Sequence, residues 1–575
     1  MPETKCLFCS LQCPAAVEKS GMGSFEPSFP LVSGEAKPLC GRGSLTSELL
    51  SHPRRLTQAR LLENGALRFV SGSFALSALA LLLQKEASGA KTAFILDGNI
   101  HSETLRLGVA FAKGVLPGSR VSVFLPPPDE QALMGLEASD APIASWEELP
   151  RKELIISIGD PFSTHPVAAR KVLSTIRSDR TKRLVAVGPS RSRTSRHAHS
   201  FIEVRPGSMG VFLAACAGAL PARPPELEAA LSRFDLPRHI ERARIDIGQV
   251  RELMAMAAST TTIFLFQVSM GREDDFRLPA ALLGLLVRAL KASIIPLLSY
   301  GGSVAAYEVS RLPGVTLVPE AMTKALEGLD ALVLAGLDIA SFFPDDFFEQ
   351  VLKSVKNVIY VSPFAPSREV RHKPRLIFPG AFWFESEGTV LDQRGQSAML
   401  SRLASPPSGA WTLKEFFEGL ARELGRERLL EEALEELPLK ASAPPSLQEM
   451  LQPPEIPTAG EGKLLLFSTS SPYHFADGSV TKNCEWPNLM EPEPLIHVSR
   501  EDSSKLHLEP GLKVLVKSKY GSLETPLVID PEISQGSASV SEHFAEARQL
   551  FGWKPASASF IRSGPVEVEV SPVAS

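Results

Sequence analysis

Four cysteines near the amino terminus are the residues of this 575-residue chain best suited to metal or redox chemistry. Cys6, Cys9 and Cys13 form a C-x2-C-x3-C run, and Cys40 opens the tetrapeptide Cys-Gly-Arg-Gly. A 4Fe-4S cluster needs one thiolate on each of its four irons, and three thiolates on one loop plus a distant fourth supply that set. The spacing therefore predicts one 4Fe-4S cluster, with electron transfer as the first functional hypothesis.

Zinc is the alternative occupant of the quartet. Four thiolates also bind zinc, although structural zinc sites usually combine two separated C-x2-C pairs rather than three cysteines and one. Disulfide bonds are disfavoured because only Cys216 and Cys484 remain and no secretory signal precedes the first cysteine. The chain is accordingly expected to be cytoplasmic and reduced.

The composition is typical of a multidomain globular protein. Hydrophobic residues make up 44% of the chain and charged residues 22%, with a net charge of -5. The chain has no excess of basic residues, so its composition gives no indication of nucleic-acid binding. The longest apolar stretches are shorter than the ~20 residues that cross a bilayer. Contact with a membrane is therefore expected only through partner subunits.

Short apolar runs alternate with helical patterns along most of the chain. The runs end in Gly, Asp, Pro or Ser, as parallel strands covered on both faces do, and they span residues 91–98, 153–161, 183–189, 261–267, 293–299, 331–338 and 358–364. Helices are predicted at 73–87, 166–178 and 345–356. The pattern predicts a doubly wound α/β fold, in which ligands bind beyond the carboxyl ends of the strands.

The chain divides into five predicted segments. A cluster domain at residues 1–57 precedes two doubly wound α/β blocks at 58–230 and 231–436, the second closed by a charged helical stretch. Residues 437–462 are rich in proline and read as an extended linker. Short strand-like runs at 495–498, 513–517, 527–529 and 538–541, separated by turn sequences, predict a carboxyl-terminal β-barrel over 463–575.

A thiolate quartet, two α/β blocks and a terminal barrel in this order resemble the molybdopterin oxidoreductase family. The sequences that carry the resemblance occur in family order: Cys40-Gly41-Arg42-Gly43, His52-Pro53-Arg54-Arg55-Leu56, Gly159-Asp160-Pro161 with His165-Pro166-Val167, Val187-Gly188-Pro189 with Val204-Arg205-Pro206-Gly207, Phe384-Glu385-Ser386-Glu387-Gly388-Thr389, and Glu509-Pro510-Gly511. In character the chain is most similar to the carboxyl-terminal part of the large iron-sulfur subunit of NADH-quinone oxidoreductase, and to formate dehydrogenase alpha subunits.

The resemblance implies a cofactor beside the cluster. Members of the family hold molybdenum or tungsten with two pyranopterin dithiolenes, as molybdopterin guanine dinucleotide, and their terminal barrel binds the dinucleotide. By resemblance Arg42 lies between cluster and pterin, where its cation favours the reduced cluster. The same resemblance predicts six further cofactor contacts, namely Gly159, Asp160, Gly188, Glu387, Gly388 and Thr389.

One expected ligand type is missing. Family members usually supply a cysteine, selenocysteine, serine or aspartate to the molybdenum or tungsten, but no cysteine lies between Cys40 and Cys216. Asp129 is the candidate ligand, and a solvated turn after three prolines is its alternative interpretation. The leading hypothesis is therefore an iron-sulfur subunit that relays electrons to iron-sulfur, flavin or quinone-linked partner subunits. The alternatives are an active molybdenum or tungsten enzyme similar to formate dehydrogenase, with a non-cysteine ligand, and a structural scaffold holding zinc.

Overall fold

A computed structural model describes residues 3–573 apart from 22–23, 30, 33–34, 86–88, 270, 274, 318–327, 337, 339–341, 343–351, 353–354, 367–373, 439–445, 552–553, 557–559 and 563. Most of the helix predicted at 345–356 lies outside these described residues. Two sheets flanked by helices, a closed barrel and a small cysteine-bearing sheet make up the architecture. The α/β fold with a terminal barrel is thereby confirmed.

The large sheet has eight strands. In spatial order they are Val315–Leu317, Arg120–Phe124, Thr92–Asp97, Ala331–Ala335, Asn357–Ser362, Leu376–Pro379, Ala59–Glu63 and Ala66–Val70. The first six run parallel, and the last two form an antiparallel hairpin at one edge. Every residue of Thr92–Asp97 is buried, as expected for a central strand covered on both faces.

The small sheet has five parallel strands. In spatial order they are Ser200–Glu203, Arg183–Gly188, Leu154–Ile158, Thr262–Gln267 and Ser293–Leu297. The strand order reverses direction between the third and fourth of these strands, which creates a topological switch point. Four helices pack their apolar residues against one face of this sheet: Pro127–Ala138, Met209–Gly218, Ile247–Ser259 and Arg277–Ala289. Helix Pro166–Ser178 covers the other face.

The chain passes from the large sheet to the small one and back again. Strand Ala331–Ala335 lies between Thr92–Asp97 and Asn357–Ser362, so the large sheet takes strands from both sides of residue 230. The small sheet does the same, because Leu154–Ile158 pairs with Thr262–Gln267. The boundary predicted at residue 230 therefore does not separate the two sheets. Apolar runs predict where strands lie but carry no signal for which strands pair.

The carboxyl-terminal barrel is closed by six strands. In order around the barrel they are Leu464–Thr469, Ser537–Ser541, Ile496–Val498, Ser522–Ile529, Lys513–Lys517 and Val566–Pro572. Each strand turns apolar side chains inward, Leu466, Val498 and Val514 among them. Closure leaves the barrel without unpaired edge strands.

The remaining elements connect these units. The other helices of the described residues are Gly41–Leu50, Gly72–Lys85, Ser102–Ala110, Pro161–Thr164, Pro225–Leu231, Leu236–Ala243, Ser303–Ser310, Leu413–Glu423, Glu427–Glu436, Leu447–Met450, Glu485–Met490, Arg500–Lys505 and Ala545–Arg548. Smaller sheets are formed by Glu3–Lys5, Pro14–Lys19 and Phe25–Ser28, by Leu31–Val32 and Glu35–Ala36, by Gly388–Leu391 and Ser397–Leu400, and by Lys554–Ala556 and Phe560–Arg562. None of the helices in the described ranges is long and apolar enough to cross a membrane.

The proline-rich segment predicted as a linker is partly packed. Where it is described it contains the short helix Leu447–Met450. Met450, Leu451 and Ile456 are buried in the core of the small sheet and its helices. These apolar residues fix the segment to the surface of the small-sheet unit, so its described part is not a free extended chain.

Candidate functional site

Three of the four amino-terminal cysteines lie on one hairpin loop. Strands Glu3–Lys5 and Pro14–Lys19 pair antiparallel and leave residues 6–13 as the connection between them. The Cys6 amide donates to the Cys13 carbonyl oxygen at 2.8 Å, which closes the loop. Cys6 and Cys9 are buried, and Cys13 is partly exposed. The hairpin therefore holds three thiols on a constrained turn.

The loop is fastened to the segment that follows the last strand of the small sheet. The Ser10 amide donates to the Leu298 carbonyl at 3.2 Å, and the Gly301 amide donates to the Leu7 carbonyl at 3.0 Å. The Gln12 side-chain amide also donates to the Gly301 carbonyl at 2.8 Å. Hydrogen bonds that involve main-chain amides and the Gln12 side chain therefore hold the cysteine loop against residues 298–301.

Cys40 reaches the same place from the start of a helix. It immediately precedes helix Gly41–Leu50, and its carbonyl accepts the first helical hydrogen bond from Ser44 at 3.0 Å. A Cβ atom added to Gly43 would lie 3.4 Å from the Cys6 Sγ atom. A small residue at this position lets the helix approach the loop closely.

The four thiols are neighbours in an environment that is buried at Cys6 and Cys9 and partly exposed at Cys13 and Cys40. Burial raises the pKa of Cys6, and the neighbouring thiols of Cys40, Cys9 and Cys13 raise it further. Burial also raises the pKa of Cys9 to about 11, against a lowering by the Arg42 guanidinium. Burial and the neighbouring thiols raise the pKa of Cys13 as well. A bound metal centre is what would stabilise four such thiolates together, and its binding would release protons.

The distances between the cysteine sulfur atoms can be compared with those that a zinc ion and a 4Fe-4S cluster require. The only set of three His, Cys, Asp or Glu ligand atoms within 4.8 Å of one another among the described residues contains no cysteine. Thiolates that share one zinc ion at about 2.3 Å lie within about 4 Å of each other. Thiolates on the separate irons of a cubane lie farther apart. No three of the four sulfur atoms therefore lie as close together as a shared zinc ion requires, and the 4Fe-4S cluster stays a prediction.

Arg42 lies between the cysteine loop and the interior of the molecule. Its guanidinium is buried and donates to the Thr164 carbonyl and, at 3.3 Å, to the His474 carbonyl. Its Nε atom has no hydrogen-bond partner among the described residues. Its charge lowers the pKa of Cys9. Its placement between a cluster and a pterin stays a prediction of the family resemblance.

His165 joins the small sheet to the cysteine loop. Its Nε2 atom lies 3.0 Å from the Leu298 carbonyl oxygen and 3.3 Å from Ser10 Oγ. Burial, followed by the charge of Arg42, lowers the pKa of His165 to about 3, so the ring is neutral. The sequence assigns His165 only to a motif, since a single histidine has no spacing that reveals its partner.

Gly159 and Asp160 lie at the switch point of the small sheet. Gly159 has a φ of 92°, and a Cβ atom there would overlap Gln267 Oε1. The Asp160 carboxylate accepts hydrogen bonds from the Thr194 amide and hydroxyl, at 3.0 and 2.6 Å, and from the Ser163 hydroxyl at 2.6 Å. Asp160 thus fixes two neighbouring loops to each other.

Gly188 ends the adjacent strand beneath the barrel. Its carbonyl accepts from the Val204 amide at 2.9 Å. Just beyond it, the Ser534 hydroxyl donates to the Pro189 carbonyl at 3.0 Å, and Ser190 forms a β-bridge with Ile533. A turn of the barrel therefore covers this strand end.

The other three predicted cofactor residues lie beside the large sheet. The Thr389 amide and hydroxyl donate to the Glu103 carboxylate at 2.8 and 2.6 Å, and Gly388 packs against the ring of His101. Glu387 lines a cavity of about 370 Å³, together with His101 and Arg402. The predicted contacts are thus divided between the edges of two sheets.

Asp129 is not a solvated turn residue. Its side chain is fully buried, and its carboxylate accepts from the Ser299 amide at 2.9 Å, the Tyr300 amide at 3.3 Å and the Ser303 hydroxyl at 2.5 Å. Burial raises its pKa to about 6, against a lowering by the Ser303 hydrogen bond. Both oxygens are engaged in holding the turn ahead of helix Ser303–Ser310, which gives no support to a metal-ligand role.

Side chains fill the space between the ends of strands Leu154–Ile158 and Thr262–Gln267 and the barrel. Gln267 Oε1 accepts from the Asp160 amide at 3.0 Å and from Arg272 Nη1 at 2.9 Å. Two cavities that reach this region measure about 30 Å³ and about 20 Å³, whereas cofactor pockets usually measure about 300–1,000 Å³. A larger cavity of about 740 Å³ lies between Arg205 and Pro206, which follow strand Ser200–Glu203, and barrel residues such as Leu464 and Gly536.

Comparison with known proteins supports the domain assignment. Residues 464–564 match the molydopterin dinucleotide binding domain. The G 2 subunit of the NADH-quinone oxidoreductase of Rhizobium meliloti (strain 1021) is 23% identical over 634 residues, covering 95% of this chain and 70% of the relative. The alpha subunit of F420-dependent formate dehydrogenase 2 of Methanococcus maripaludis is 20% identical over 645 residues, covering 94% of each chain.

The fold itself has a solved counterpart. Acetylene hydratase from Pelobacter acetylenicus superposes with a TM-score of 0.75 at 13% sequence identity, and the match covers 100% of both chains. At this identity the likeness shows the fold alone. The chain is therefore a homologue of the molybdopterin oxidoreductases, and its closed six-stranded barrel is the molydopterin dinucleotide binding domain of that fold.

Proposed function

We propose that this chain is an iron-sulfur subunit of a multisubunit oxidoreductase, with one 4Fe-4S cluster held by Cys6, Cys9, Cys13 and Cys40. The observation that carries the proposal is the convergence of two elements: the hairpin loop at residues 6–13 carries three thiols, and the helix that begins after Cys40 brings Gly43 next to the Cys6 sulfur. When bound, such a cluster supplies reversible one-electron transfer. The relatives named above are themselves called subunits, which supports partner subunits for this chain.

The residues around the quartet orient and shield the site. The hairpin and helix Gly41–Leu50 fix the thiols, and burial of Cys6 and Cys9 keeps water away. Arg42 adds a buried positive charge, which stabilises an added electron nearby. The residues that hold the thiols, exclude water and supply the positive charge all belong to this chain.

A relay explains the geometry better than catalysis at molybdenum or tungsten. The carboxylate of Asp129 is already used by three donor residues, and the cavity beside Thr164, His165 and His474 measures only about 30 Å³. We therefore propose no reaction step at a pterin-bound metal. The match of the barrel to a dinucleotide binding domain keeps such an enzyme as the second candidate.

Metal analysis of anaerobically purified protein tests the proposal. We expect about four irons per chain, no stoichiometric molybdenum or tungsten, and an electron paramagnetic resonance signal after reduction. Cys13→Ala and Cys40→Ala should lose the iron. The matched control is Cys216→Ala, because Cys216 is buried in helix Met209–Gly218, away from the quartet, and its loss should leave the iron unchanged.

Three outcomes would count against the relay. Zinc in place of iron would favour the structural scaffold. Stoichiometric molybdenum or tungsten, with pterin released on denaturation, would favour the second candidate. Equal loss of iron in the Cys216→Ala control would show that the cysteine variants act through misfolding rather than through ligation.

A further inference from the structure

Three side chains from different parts of the barrel region meet in a buried cluster. His474 follows strand Leu464–Thr469, Glu491 follows helix Glu485–Met490, and His543 follows strand Ser537–Ser541. One ligand atom from each residue lies within 4.8 Å of the others, and no other such set occurs among the described residues. This cluster is separate from the cysteine quartet. Its three residues lie within the segment that matches the dinucleotide binding domain, but none of them is among the predicted cofactor contacts.

The cluster contains polar atoms that have no partner. His474 is 3% exposed and His543 is 1% exposed, and the Nε2 atom of each lacks a hydrogen bond among the described residues. Glu491 Oε2 also lacks a hydrogen bond and lies 3.3 Å from His543 Nε2. Buried polar atoms without partners cost free energy, so they indicate an absent ligand.

A neighbouring hydroxyl orients one of the rings. His474 Nδ1 lies 3.0 Å from Thr481 Oγ1, which also accepts a hydrogen bond from the Phe475 amide at 3.1 Å. A hydrogen bond at Nδ1 fixes the ring orientation and leaves Nε2 available, as the outer partners of metal-ligating histidines do. Thr481 is therefore the positioning residue of the cluster.

Two cations, Lys482 and Arg548, face the cluster. Arg548 Nη1 donates to the carbonyl oxygens of Asp477 and Glu542, at 3.1 and 2.9 Å, which holds its guanidinium in place. Burial, followed by the charge of Arg548, lowers the pKa of Lys482, against a raising by Asp477. A divalent ion there would be balanced chiefly by the Glu491 carboxylate.

We propose that His474, Glu491 and His543 bind one divalent transition-metal cation such as Zn²⁺. Two neutral imidazoles and one carboxylate form a common ligand set for such ions. Ligand distances of about 2.1 Å require ligand atoms no more than about 4.2 Å apart. The rings are stacked at 4.1 Å between centroids and 11° between planes, so binding would draw the ligands together and rotate the rings apart.

The site would fasten the segment at 474–491 to the barrel. This segment also meets the cysteine quartet, because the His474 carbonyl accepts from Arg42 and Trp486 packs against Gly41. The inference goes beyond the proposed electron relay and does not depend on it, since it concerns a second metal with nitrogen and oxygen ligands.

Zinc titration of the anaerobically purified full-length protein tests the site. Calorimetry and elemental analysis should find one Zn²⁺ per chain with the iron content unchanged. His543→Gln and Glu491→Gln should each weaken binding about tenfold or more, and Thr481→Val should weaken it while retaining all three ligands. His239→Gln is the control, because His239 lies in helix Leu236–Ala243 with its Nδ1 atom 2.7 Å from the Asp235 carbonyl oxygen, outside the barrel.

X-ray absorption at the zinc edge identifies the ligands. The expected first shell contains nitrogen and oxygen only, with the scattering of two imidazoles. Sulfur in the shell would place the zinc at the cysteines and overturn the proposal. Equal zinc affinity in wild type, Glu491→Gln and His543→Gln would also overturn it, provided that each variant keeps the wild-type circular dichroism spectrum.

Discussion

At the scale of single residues, buried charge is the property that most distinguishes this chain. Arg42 is a buried cation beside four thiols, and its guanidinium is held by the carbonyls of Thr164 and His474. Because these contacts restrict its movement, its charge acts on the quartet from a fixed position. A cation in this position stabilises the reduced form of a nearby redox centre.

Arg42→Gln should lower the reduction potential of the cluster. Loss of the charge favours the oxidised state, and we expect a shift on the order of 50 mV, about 1 kcal/mol for one electron. Redox titration followed by electron paramagnetic resonance measures it. Arg54→Gln is the control, because Arg54 is exposed and binds the Asn483 carbonyl. Equal potentials for wild type and Arg42→Gln would contradict the role of Arg42.

His101 and Glu130 should give opposite dependences of stability on pH. Burial lowers the pKa of His101 to about 4, so the unfolded chain gains a proton first and the folded protein loses stability as the pH falls below ~6.5. Burial raises the pKa of Glu130 to about 8, so the unfolded chain loses its proton first and stability falls as the pH rises above ~4.5.

Urea unfolding of His101→Gln and Glu130→Gln between pH 4.5 and 8 measures these effects. Relative to wild type, His101→Gln should gain stability toward low pH, by up to about 3 kcal/mol. Glu130→Gln should gain it toward high pH. Profiles parallel to wild type would show that neither group changes its protonation on unfolding.

The sequence predicts some of these residues and misses others. The cysteines can be singled out because their spacing matches that of 4Fe-4S ligands. The structure places them near one another, and their role as cluster ligands stays a prediction. His165 and Gln267 are missed because each makes contacts with residues more than 100 positions away. The alternative interpretation of Asp129 as a solvated turn residue is wrong. Three prolines precede Asp129, but it lies in the first turn of helix Pro127–Ala138, where it is buried.

At the scale of elements, one ion pair joins the cysteine-bearing segment to the large-sheet unit. Arg55 donates to both carboxylate oxygens of Glu385, at 2.9 and 2.7 Å, and both side chains are buried. Arg55 also donates to the Leu49 carbonyl at the end of helix Gly41–Leu50. The pair therefore fixes the helix that presents Cys40.

Arg55→Leu should destabilise the protein by about 3–5 kcal/mol, because Glu385 would remain buried without its partner. Adding Glu385→Gln should restore part of the loss. Arg196→Gln removes an exposed pair with Glu532 and should cost less than about 1 kcal/mol. Guanidinium unfolding measures all three variants. Equal losses for Arg55→Leu and Arg196→Gln would show that burial of the pair has no energetic effect.

Strand positions are predictable, but strand neighbours are not. The run predicted at 91–98 becomes Thr92–Asp97, and that at 183–189 becomes Arg183–Gly188. These runs are recognisable because parallel strands covered on both faces are apolar throughout. The same uniformity hides which strand pairs with which, so the crossing of the chain between two sheets could not be predicted.

At the scale of the whole molecule, the two sheets depend on both halves of the chain. Strand Thr92–Asp97 needs Ala331–Ala335 as a neighbour, and Leu154–Ile158 needs Thr262–Gln267. A cut at residue 230 would therefore leave both sheets incomplete and expose unpaired strand edges.

Fragment 1–230, expressed alone, should fail to unfold cooperatively in urea, and fragment 231–575 should show only the transition of its barrel. Coexpression should restore a sigmoidal transition by completing both sheets. Fragment 446–575 is the control, because it carries all six strands of the closed barrel and should unfold cooperatively alone. A cooperative transition for fragment 1–230 alone would contradict the interdependence of the sheets.

The Arg55–Glu385 pair joins residues 330 positions apart, and it has a consequence for synthesis on the ribosome. The cysteines of a nascent chain emerge long before Glu385 and before the carbonyl of Leu298 that anchors their loop. Until Glu385 has emerged, these thiols lack the supports that fix them in the finished protein. Iron should therefore enter the proposed cluster only after residues 298–385 have been synthesised, rather than when the cysteines first emerge.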